Sequence, residues 1–282
     1  VLEVRDLWPL LPIAMGDLKH PFFCYLAYKL EKFAYKNSDS IVALSPGMRD
    51  GIIQVGYPEN KVTIIPNSSD IDLFLIDGKK GFEFRLKRPL IKNKPLLIYT
   101  GTFGLINGVD YMVDLAQSLI KIGSDVQILL IGDGREFNKV KTQAKKEGVL
   151  NDNLFIESQL PKKEIPAALS AATIVCSLFI DIPEMRSNSA NKFFDALAAG
   201  KPLLINYGGW QKDLLDESGA GFVAWRKPII EVAESVHKLA HDDVWLLKAS
   251  ESSKKLALDY FDRDMLATQL EEVLCNCKTS HI

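Results

Sequence analysis

The sequence repeatedly alternates short, fully apolar runs with longer segments of helical periodicity. Residues 40–44 and 96–99 are examples of the apolar runs, and residues 17–36 show the helical spacing. Strands that are apolar throughout are typical of parallel sheets, because helices cover both faces of such sheets. The alternation therefore predicts an α/β protein built on parallel sheets.

A basic stretch separates two series of this alternation. The first series ends near residue 66 and the second begins at Leu96, while residues 75–94 carry most of their charge as Lys and Arg. Such a composition shift indicates a linker or a surface excursion. We keep two interpretations of it, a solvated connector and a basic strip that contacts phosphates or an anionic membrane surface. The length of 282 residues agrees with two domains.

The balance of charge excludes a general affinity for nucleic acid. The chain has 34 Lys and Arg against 36 Asp and Glu, so its net charge at pH 7 is −2 and any polyanion site must be local. The nearest candidate for a membrane span, residues 165–182, is interrupted by Pro166, Ser170 and Asp181. We interpret it as a short helix followed by a buried strand, because a span needs a longer clean apolar run.

The cysteines indicate a reducing compartment rather than a metal site. Cys176 lies in an apolar run and is typical of a core thiol. Cys275 and Cys277 have only His281 close by, which is too few ligands, at an unfamiliar spacing, for zinc. The pattern fits the cytosol. The sequence opens on Val1 in a strand-like run without a signal peptide, so we expect a fragment of a longer chain.

Two glycine-containing loops follow predicted strands of the second series. The loop at residues 101–108 is Gly-x-x-Gly-x-x-x-Gly, which permits tight turns and close approach to a ligand. Its spacing matches neither the dinucleotide fingerprint nor the P-loop, so a simple turn is the alternative. Residues 132–134, Gly-Asp-Gly, have a plain Asp-Gly turn as their alternative. Both loops are candidates because ligands of parallel sheets bind beyond the carboxyl ends of strands.

The most informative stretch is residues 186–202, where a loop of small polar residues opens a predicted helix. Free N–H groups at a helix N-terminus suit a diphosphate, with Arg186 or Lys192 as the counter-charge. Lys192 and Asp195 are three residues apart, so they share a helix face. Asp195 can accept hydrogen bonds from both hydroxyls of a ribose. The alternative is a capped surface helix with an ion pair between Lys192 and Asp195.

Residues 191–202, with the pattern Asn-Lys-x-Phe-Asp-x-x-Ala-Ala-Gly-Lys-Pro, resemble the nucleotide-sugar motif of the family 4 glycosyltransferases, a group 1 family with the GT-B fold. Four further pieces resemble the family in the same order. They are residues 6–9 (Asp-Leu-Trp-Pro), residues 44–48 together with 64–70, residues 99–104, and residues 131–134 (Ile-Gly-Asp-Gly). The first piece is similar to a turn of bacterial transferases that build surface polysaccharides. The resemblance covers nearly the whole chain.

The resemblance implies two Rossmann-like parallel-sheet domains that face a cleft, the first of them incomplete. Residues 1–92 would be the C-terminal part of the acceptor-side domain plus the linker. Residues 93–250 would be the domain that binds the nucleotide-sugar donor. Residues 251–282 would be a helix that crosses back to the first domain near residues 261–262.

The resemblance also implies a reaction. A hexose or N-acetylhexosamine would move, with retention at the anomeric carbon, from a nucleotide diphosphate, UDP by preference, to a glycan or lipid-linked acceptor in surface-polysaccharide or O-antigen assembly. No metal and no cofactor are implied. The enzyme would be cytoplasmic, with peripheral contact at the inner membrane, and a fragment would bind donor without turnover. The alternatives are an isomerase similar to UDP-N-acetylglucosamine 2-epimerase and a non-catalytic nucleotide-sugar-binding module.

Site residues follow from the resemblance on both sides of the cleft. Asp6 and Arg5 would face the acceptor, with Asp6 as a candidate base or, alternatively, as a capping residue before Trp8. The predicted donor-binding residues are Gly101, Thr102, Gly104, Gly132, Asp133, Gly134, Arg186, Ser187, Asn188, Ser189, Asn191, Lys192 and Asp195.

The chain departs from the family pattern at three places. Family members often carry two glutamates eight residues apart, which fall here on Ser187 and Asp195. Glu184 is therefore a candidate substitute for the carboxylate that Ser187 cannot supply. The loop at residues 104–108 lacks the Arg and Lys that grip the diphosphate in many members. Arg5 stands where many members have His.

The predicted helix at residues 17–36 combines aromatic residues with lysines. This combination suits a membrane interface, where a lipid-linked acceptor would approach. The alternative is that the apolar face of the helix packs against the first sheet. That face consists of Phe22, Phe23, Leu26, Leu30 and Phe33.

Overall fold

Two parallel β-sheets with helices packed around them form the framework of the chain. The computed structural model describes residues 1–91 and 93–279. Position 92, where the predicted linker ends, and residues 280–282 of the predicted crossing helix, which include His281, lie outside the described residues. The α/β class predicted from the alternation of apolar runs and helices is confirmed.

The elements alternate along the chain as follows. The strands are β1 (Leu2–Val4), β2 (Ile41–Ala43), β3 (Val62–Ile64), β4 (Leu96–Thr100), β5 (Gln127–Ile131), β6 (Leu154–Glu157), β7 (Ile174–Ser177), β8 (Leu203–Ile205) and β9 (Gly221–Val223). The helices are α1 (Leu10–Ala14), α2 (Pro21–Lys36), α3 (Pro46–Gln54), α4 (Ile71–Phe74), α5 (Gly78–Leu86), α6 (Tyr111–Lys121), α7 (Phe137–Lys146), α8 (Ile165–Ala171), α9 (Asn191–Ala198), α10 (Trp210–Ser218), α11 (Ile229–Ala240), α12 (Asp243–Tyr260) and α13 (Arg263–Thr279).

The first sheet has the order β1-β2-β3, with all strands parallel. Its middle strand, β2, is buried throughout because α3 and α13 cover its two faces. Ser45 caps α3 by accepting a hydrogen bond from the Met48 N–H at 3.1 Å, and Pro46 occupies the first turn. Both residues are preferred at these positions, so the start of this helix can be predicted from the sequence.

The second sheet has the order β6-β5-β4-β7-β8-β9. The chain first builds outward from β4 to β6 and then returns to the other side of β4, where β7 begins the second half. In such doubly wound sheets ligands bind beyond the carboxyl ends of the strands, at the point where the order reverses. That point lies between β4 and β7, so the loops after these strands define the expected ligand position.

The basic stretch after residue 75 is a folded part of the second domain rather than a solvated connector. Phe84 is buried, and a Cβ on Gly81 would lie 2.6 Å from the Ser170 carbonyl carbon, so α5 packs closely on α8. Arg85 donates to the carbonyl oxygens of Ala171 and Lys94, each at 2.7 Å. The Arg85 guanidinium therefore binds backbone carbonyls instead of solvent. Composition alone does not indicate this contact.

The chain returns to the first domain at its C-terminal end. Helix α12 packs along α9 and ends at Tyr260, and α13 then begins at an Asp262 cap, which accepts from the Met265 N–H at 2.9 Å. Leu266 on α13 packs against Val42 and Ile65 of the first domain. Within the part of the chain that the structure describes, we find no helix with the length and apolar character needed to cross a membrane.

Candidate functional site

A cavity of about 700 Å³ opens beyond the carboxyl ends of β4 and β5, beside the switch point of the second sheet. Its walls come from the segments after β4, β5, β6 and β7 and from the first turns of α9. Eight of the predicted donor-binding residues line it: Gly101, Thr102, Gly104, Gly132, Asp133, Asn191, Lys192 and Asp195. The roles of these eight residues stay predictions, but the fold brings them together at one place.

Close backbone contact between two loops shapes the cavity floor. A Cβ on Gly132 would lie 1.8 Å from the carbonyl oxygen of Gly101, so only glycine fits there. Gly134, also predicted as a donor contact, lies outside the cavity lining. A Cβ on Gly134 would lie 2.7 Å from the Phe103 carbonyl oxygen, so its place is fixed by packing between loops.

Lys192 presents a cation to the cavity without an acidic partner. Its Nζ lies 3.3 Å from the Tyr99 hydroxyl and about 5 Å from the ring centres of Tyr99 and Phe179. With the Asn107 amide turned so that its nitrogen donates to Thr102, its oxygen accepts from Lys192 Nζ at 2.9 Å. Among the described residues no carboxylate lies within ion-pair distance of Lys192.

The ionisation of Lys192 reflects these neutral surroundings. Burial lowers its pKa to about 8, because desolvation disfavours the charged form. The ammonium still predominates at pH 7, so an entering anion would gain a charge-assisted contact without first breaking an ion pair. The predicted alternative, an ion pair between Lys192 and Asp195 on a surface helix, is not formed.

Asp195 lies one helical turn beyond Lys192 and lines the same cavity. Burial raises its pKa to about 6, against a hydrogen bond from Ser69 and the positive charge of Lys162. The Ser69 hydroxyl donates to Asp195 Oδ1 at 2.8 Å. Ser69 follows the last strand of the first domain, so this hydrogen bond spans the cleft between the domains.

Arg186, predicted as a counter-charge for a diphosphate, does not line the cavity. Its guanidinium lies 3.6 Å from Asp181 and stacks over the Trp225 ring at 5.3 Å. Asp181 also accepts from Trp225 Nε1 at 2.9 Å. These partners hold Arg186 away from the cavity. Glu184, the candidate substitute carboxylate, lies in the same short turn and does not line the cavity either.

The three residues that follow Arg186 do not line the cavity, and two of them, Ser187 and Ser189, join the two domains. Ser45 Oγ donates to the carbonyl oxygen of Ser187 at 2.6 Å. The Asn67 N–H donates to Ser189 Oγ at 3.3 Å, and the Asn67 side-chain amide donates to the Ser189 carbonyl. The carbonyl of Asn188 accepts from Trp210 Nε1 at 2.7 Å. The donor contacts of Ser187, Asn188 and Ser189 stay predictions, and in the structure these residues make interdomain and packing contacts.

Sequence reasoning missed several polar residues at the site, among them Lys162 and Ser69. Lys162 precedes α8 and lines the cavity near Asp195. Its signal is the basic turn at residues 161–164, just before a predicted helix. Ser69 belongs to the stretch at residues 64–70 that carries the family resemblance, but nothing local indicates that its hydroxyl reaches Asp195. That contact depends on how the two domains pack.

Asp6 and Arg5 line a second, smaller cavity of about 280 Å³ at the end of β1. Arg5 pairs with Glu3 at 3.2 Å. Partial burial raises the pKa of Asp6, and Arg5 opposes that change. Helix α1 begins without a side-chain cap, so Asp6 does not have the predicted capping role. Glu31 from α2 also lines this cavity, and burial raises its pKa as well.

Helix α2 leaves its aromatic face open to solvent. Ala27, Glu31 and Tyr35 face the first sheet. Phe22 and Phe33 are 57% and 65% exposed, and Phe23, Leu26 and Leu30 are exposed as well. The alternative that this face packs against the first sheet is therefore wrong for the described residues.

Comparison with known proteins agrees with this architecture. The HepE protein of Anabaena in complex with UDP-glucose superposes with a TM-score of 0.80 at 16% identity, over 98% of this chain and 72% of that one. The capsular polysaccharide biosynthesis glycosyltransferase CapM of Staphylococcus aureus is 22% identical over 261 residues, 89% of this chain and 65% of that protein. The 2-deoxystreptamine glucosyltransferase of Streptomyces kanamyceticus is 20% identical over 255 residues, 89% of this chain and 63% of that protein.

The chain thus spans less than two thirds of the length of these curated relatives. The structural neighbours have the GT-B fold, which confirms the fold class that the resemblance implies. The family model for glycosyl transferases group 1 matches residues 82–257, which is more than half of the chain and contains the whole cavity. The chain therefore belongs to the group 1 glycosyl transferases.

Proposed function

We propose that this chain belongs to a retaining enzyme that transfers a hexose or N-acetylhexosamine from UDP to a glycan or lipid-linked acceptor in surface-polysaccharide or O-antigen assembly. The observation that carries the proposal is the pair of Lys192 and Asp195, one helical turn apart in a cavity at the switch point. The relatives named for capsular polysaccharide synthesis and for a bound UDP-sugar support the pathway and the donor.

The two side chains are close enough to contact one donor molecule. Residues three apart on a helix have Cβ atoms about 5–6 Å apart, so Asp195 and Lys192 can reach neighbouring groups of the same nucleotide. Asp195 accepts from the ribose hydroxyls, while Lys192 and the backbone N–H groups of the glycine loops hold the diphosphate. Lys192 then stabilises the negative charge that develops on the leaving diphosphate.

Calorimetric titration with UDP, GDP and UDP-N-acetylglucosamine tests the donor site. We expect saturable UDP binding that Asp195→Ala removes and that Asp213→Ala preserves. Asp213 is a matched control because it is an exposed aspartate on α10, outside the cavity. Binding that persists unchanged in Asp195→Ala would show that the cavity is not the donor site. Preference for GDP would contradict the choice of UDP.

Turnover assays on the whole protein separate the reaction classes. Release of UDP that requires an acceptor supports the transferase. Interconversion of the sugar without an acceptor would indicate an isomerase, and donor binding with neither activity would indicate a binding module. Retention is read from the anomeric configuration of the product.

We also propose that α2 contacts an anionic membrane surface, where a lipid-linked acceptor would be held. The observation behind this proposal is the exposed aromatic face of α2, flanked by cationic side chains. Those side chains are Lys19, Lys29, Lys32 and Lys36. Aromatic rings enter the acyl boundary, and lysines pair with anionic headgroups.

A further inference from the structure

A cluster of metal-ligand side chains lies at the opposite end of the second sheet from the cavity. Asp125 stands in the loop before β5, and His237 and His241 stand four residues apart at the end of α11. His241 Nε2 lies 3.0 Å from Asp125 Oδ1, and the two imidazole centres are 4.8 Å apart. One ligand atom from each of the three residues lies within 4.8 Å of the others.

The hydrogen bonds of His241 direct one of its ring nitrogens toward a carboxylate. Its Nδ1 lies 2.7 Å from the His237 carbonyl oxygen, which can only accept, so Nδ1 carries the hydrogen. In the neutral ring Nε2 then has a lone pair that points to the Asp125 carboxylate. These two atoms, 3.0 Å apart, are therefore placed to bind one cation between them.

The second histidine has matching outer contacts. Ser124 Oγ lies 2.9 Å from His237 Nδ1 and accepts from the Val126 N–H at 3.3 Å. A hydroxyl oxygen has two lone pairs, so it can also accept from Nδ1–H and leave His237 Nε2 free to ligate. Metal-bound imidazoles usually donate their other N–H to a carbonyl, carboxylate or water in this way. The C-terminal end of a helix also favours a cation.

We propose that Asp125, His237 and His241 form a binding site for a divalent transition-metal ion, with zinc as the best match. Two imidazole nitrogens and one carboxylate oxygen are common zinc ligands, and water would complete a tetrahedral set. Tetrahedral zinc needs ligand atoms about 3.4 Å apart, so small rotations of these surface side chains suffice. Without metal, the pKa of His241 is raised by the His237 carbonyl and then by Asp125.

The position of the cluster makes the role structural. Strand β5 separates Asp125 from the loop at Gly132 that lines the donor cavity. Five strand residues span about 16 Å, so a metal at Asp125 cannot contact a ligand in the cavity. The metal would instead join α11 to the start of β5, residues more than a hundred positions apart in the chain. The proposal therefore stands independently of the function proposed for the cavity.

Zinc titration of the untagged chain in chelator-free buffer tests the proposal, with a chromophoric zinc chelator as competitor. We expect one equivalent of zinc and a rise in Tm in the wild-type chain. His237→Ala, His241→Ala and Asp125→Asn should each weaken zinc binding roughly tenfold or more. His20→Ala is the matched control, because His20 caps α2 in the first domain and should leave binding unchanged.

The cysteines near the C-terminus provide the second control. We expect Cys275→Ser with Cys277→Ser to retain one equivalent of zinc. Loss of zinc binding in that double variant, with full binding in His237→Ala and His241→Ala, would overturn the proposal. The absence of stoichiometric binding in the wild-type chain would overturn it as well. Because Tm and stoichiometry are read without substrate, failure here is distinguishable from failure of the donor-site titration.

Discussion

At the scale of single residues, opposing influences act on the pKa of Asp195. Burial raises its pKa to about 6, while Ser69 and Lys162 act in the other direction. Because this pKa lies above the model-peptide value of 3.8, the folded state binds the proton more tightly than the unfolded state does. Its contribution to stability is therefore present at low pH and is lost as pH rises from about 4 to about 6.

Donor binding should show the opposite dependence on pH. The ribose hydroxyls donate best to an ionised carboxylate, so affinity for UDP-N-acetylglucosamine should rise as Asp195 ionises around pH 6. This donor is suitable because its diphosphate does not titrate in that range. Calorimetry from pH 5 to pH 7 should show roughly a tenfold gain in the wild-type chain. Asp195→Asn should bind weakly and lose the dependence, and an unchanged slope in that variant would contradict the assignment.

The pKa of Lys192 predicts a second change in donor affinity, a decrease at alkaline pH. Its pKa of about 8 means that the cation is lost as pH rises, so donor affinity should fall above about pH 8. Lys192→Met should remove this alkaline decrease in affinity. Lys201→Met is the matched control, because burial also lowers the pKa of Lys201 to about 8, yet its Nζ donates to Ala172 outside the cavity. If both variants lost the alkaline decrease in affinity alike, the result would argue against a specific role for Lys192.

The residues whose positions depend on local pattern could be placed from the sequence. Lys192 and Asp195 are three apart at a helix start, so their common direction follows from helix geometry. The positions of Arg186 and Ser69 could not be predicted in the same way. Arg186 is held by Trp225, and Ser69 reaches Asp195 across the cleft, so both depend on contacts between distant segments.

At the scale of elements, α5 illustrates how composition misleads. Its Lys and Arg content is typical of a solvated segment, and its lysines are indeed exposed. Arg85 and Arg88, however, point toward the second domain, where Arg88 forms two hydrogen bonds with Glu157 at 2.6 and 2.7 Å. Those acceptors become available only when β6 and α8 are in place. The strands, in contrast, can be predicted from the sequence, because continuous apolar runs suit strands that are covered on both faces.

Removal of the Arg85 guanidinium should therefore destabilise the second domain. Arg85→Met leaves the carbonyl oxygens of Ala171 and Lys94 without their donor and should lower the free energy of unfolding by about 2–3 kcal/mol. Lys80→Met is the control, because Lys80 is exposed on the same helix and should change stability by less than about 0.5 kcal/mol. Urea denaturation measures both. Equal effects would mean that charge on α5, rather than these hydrogen bonds, stabilises it.

The proposed membrane contact depends on α2 as a whole. We expect the chain to float with vesicles rich in phosphatidylglycerol and to remain in solution with phosphatidylcholine vesicles. Phe22→Ser with Phe33→Ser should weaken this binding by roughly tenfold or more, since each ring loses apolar burial in the lipid. The same change at Val244 and Leu247, which are equally exposed on α12, should have no effect. Binding that the α2 variant retains would contradict the proposal.

At the scale of the whole molecule, a cluster of aromatic rings fixes the passage of the chain back to the first domain. Phe261 is 5% exposed, and its ring centre lies 4.9 Å from that of Phe194 on α9. Its carbonyl oxygen accepts from the Ser69 N–H at 3.2 Å. One residue thus touches the core of the second domain and the last segment of the first.

Truncation of this ring should loosen the two domains as well as destabilise them. Phe261→Ala should lower the free energy of unfolding by about 3–5 kcal/mol. Hydrogen exchange should show lost protection in α13, with β4 and β5 still protected. Tyr260→Ala is the matched control, because that ring is 58% exposed and one position away. Equal loss of protection in the central strands and in α13 would indicate global unfolding and would contradict a local link between the domains.

The hydrogen bond between Ser69 and Asp195 has a thermodynamic consequence. The acceptor of that bond is also the proposed partner of the donor ribose, and an ionised carboxylate can accept from both at once. Because the bond lowers the pKa of Asp195, any bound molecule that draws Ser69 away reduces the ionised fraction that the donor requires near pH 6. Such a molecule must then weaken donor binding, and by reciprocity the donor must weaken the binding of that molecule by the same factor. Mutually dependent binding of two substrates can therefore arise from a single hydroxyl, without any lid or dedicated regulatory site.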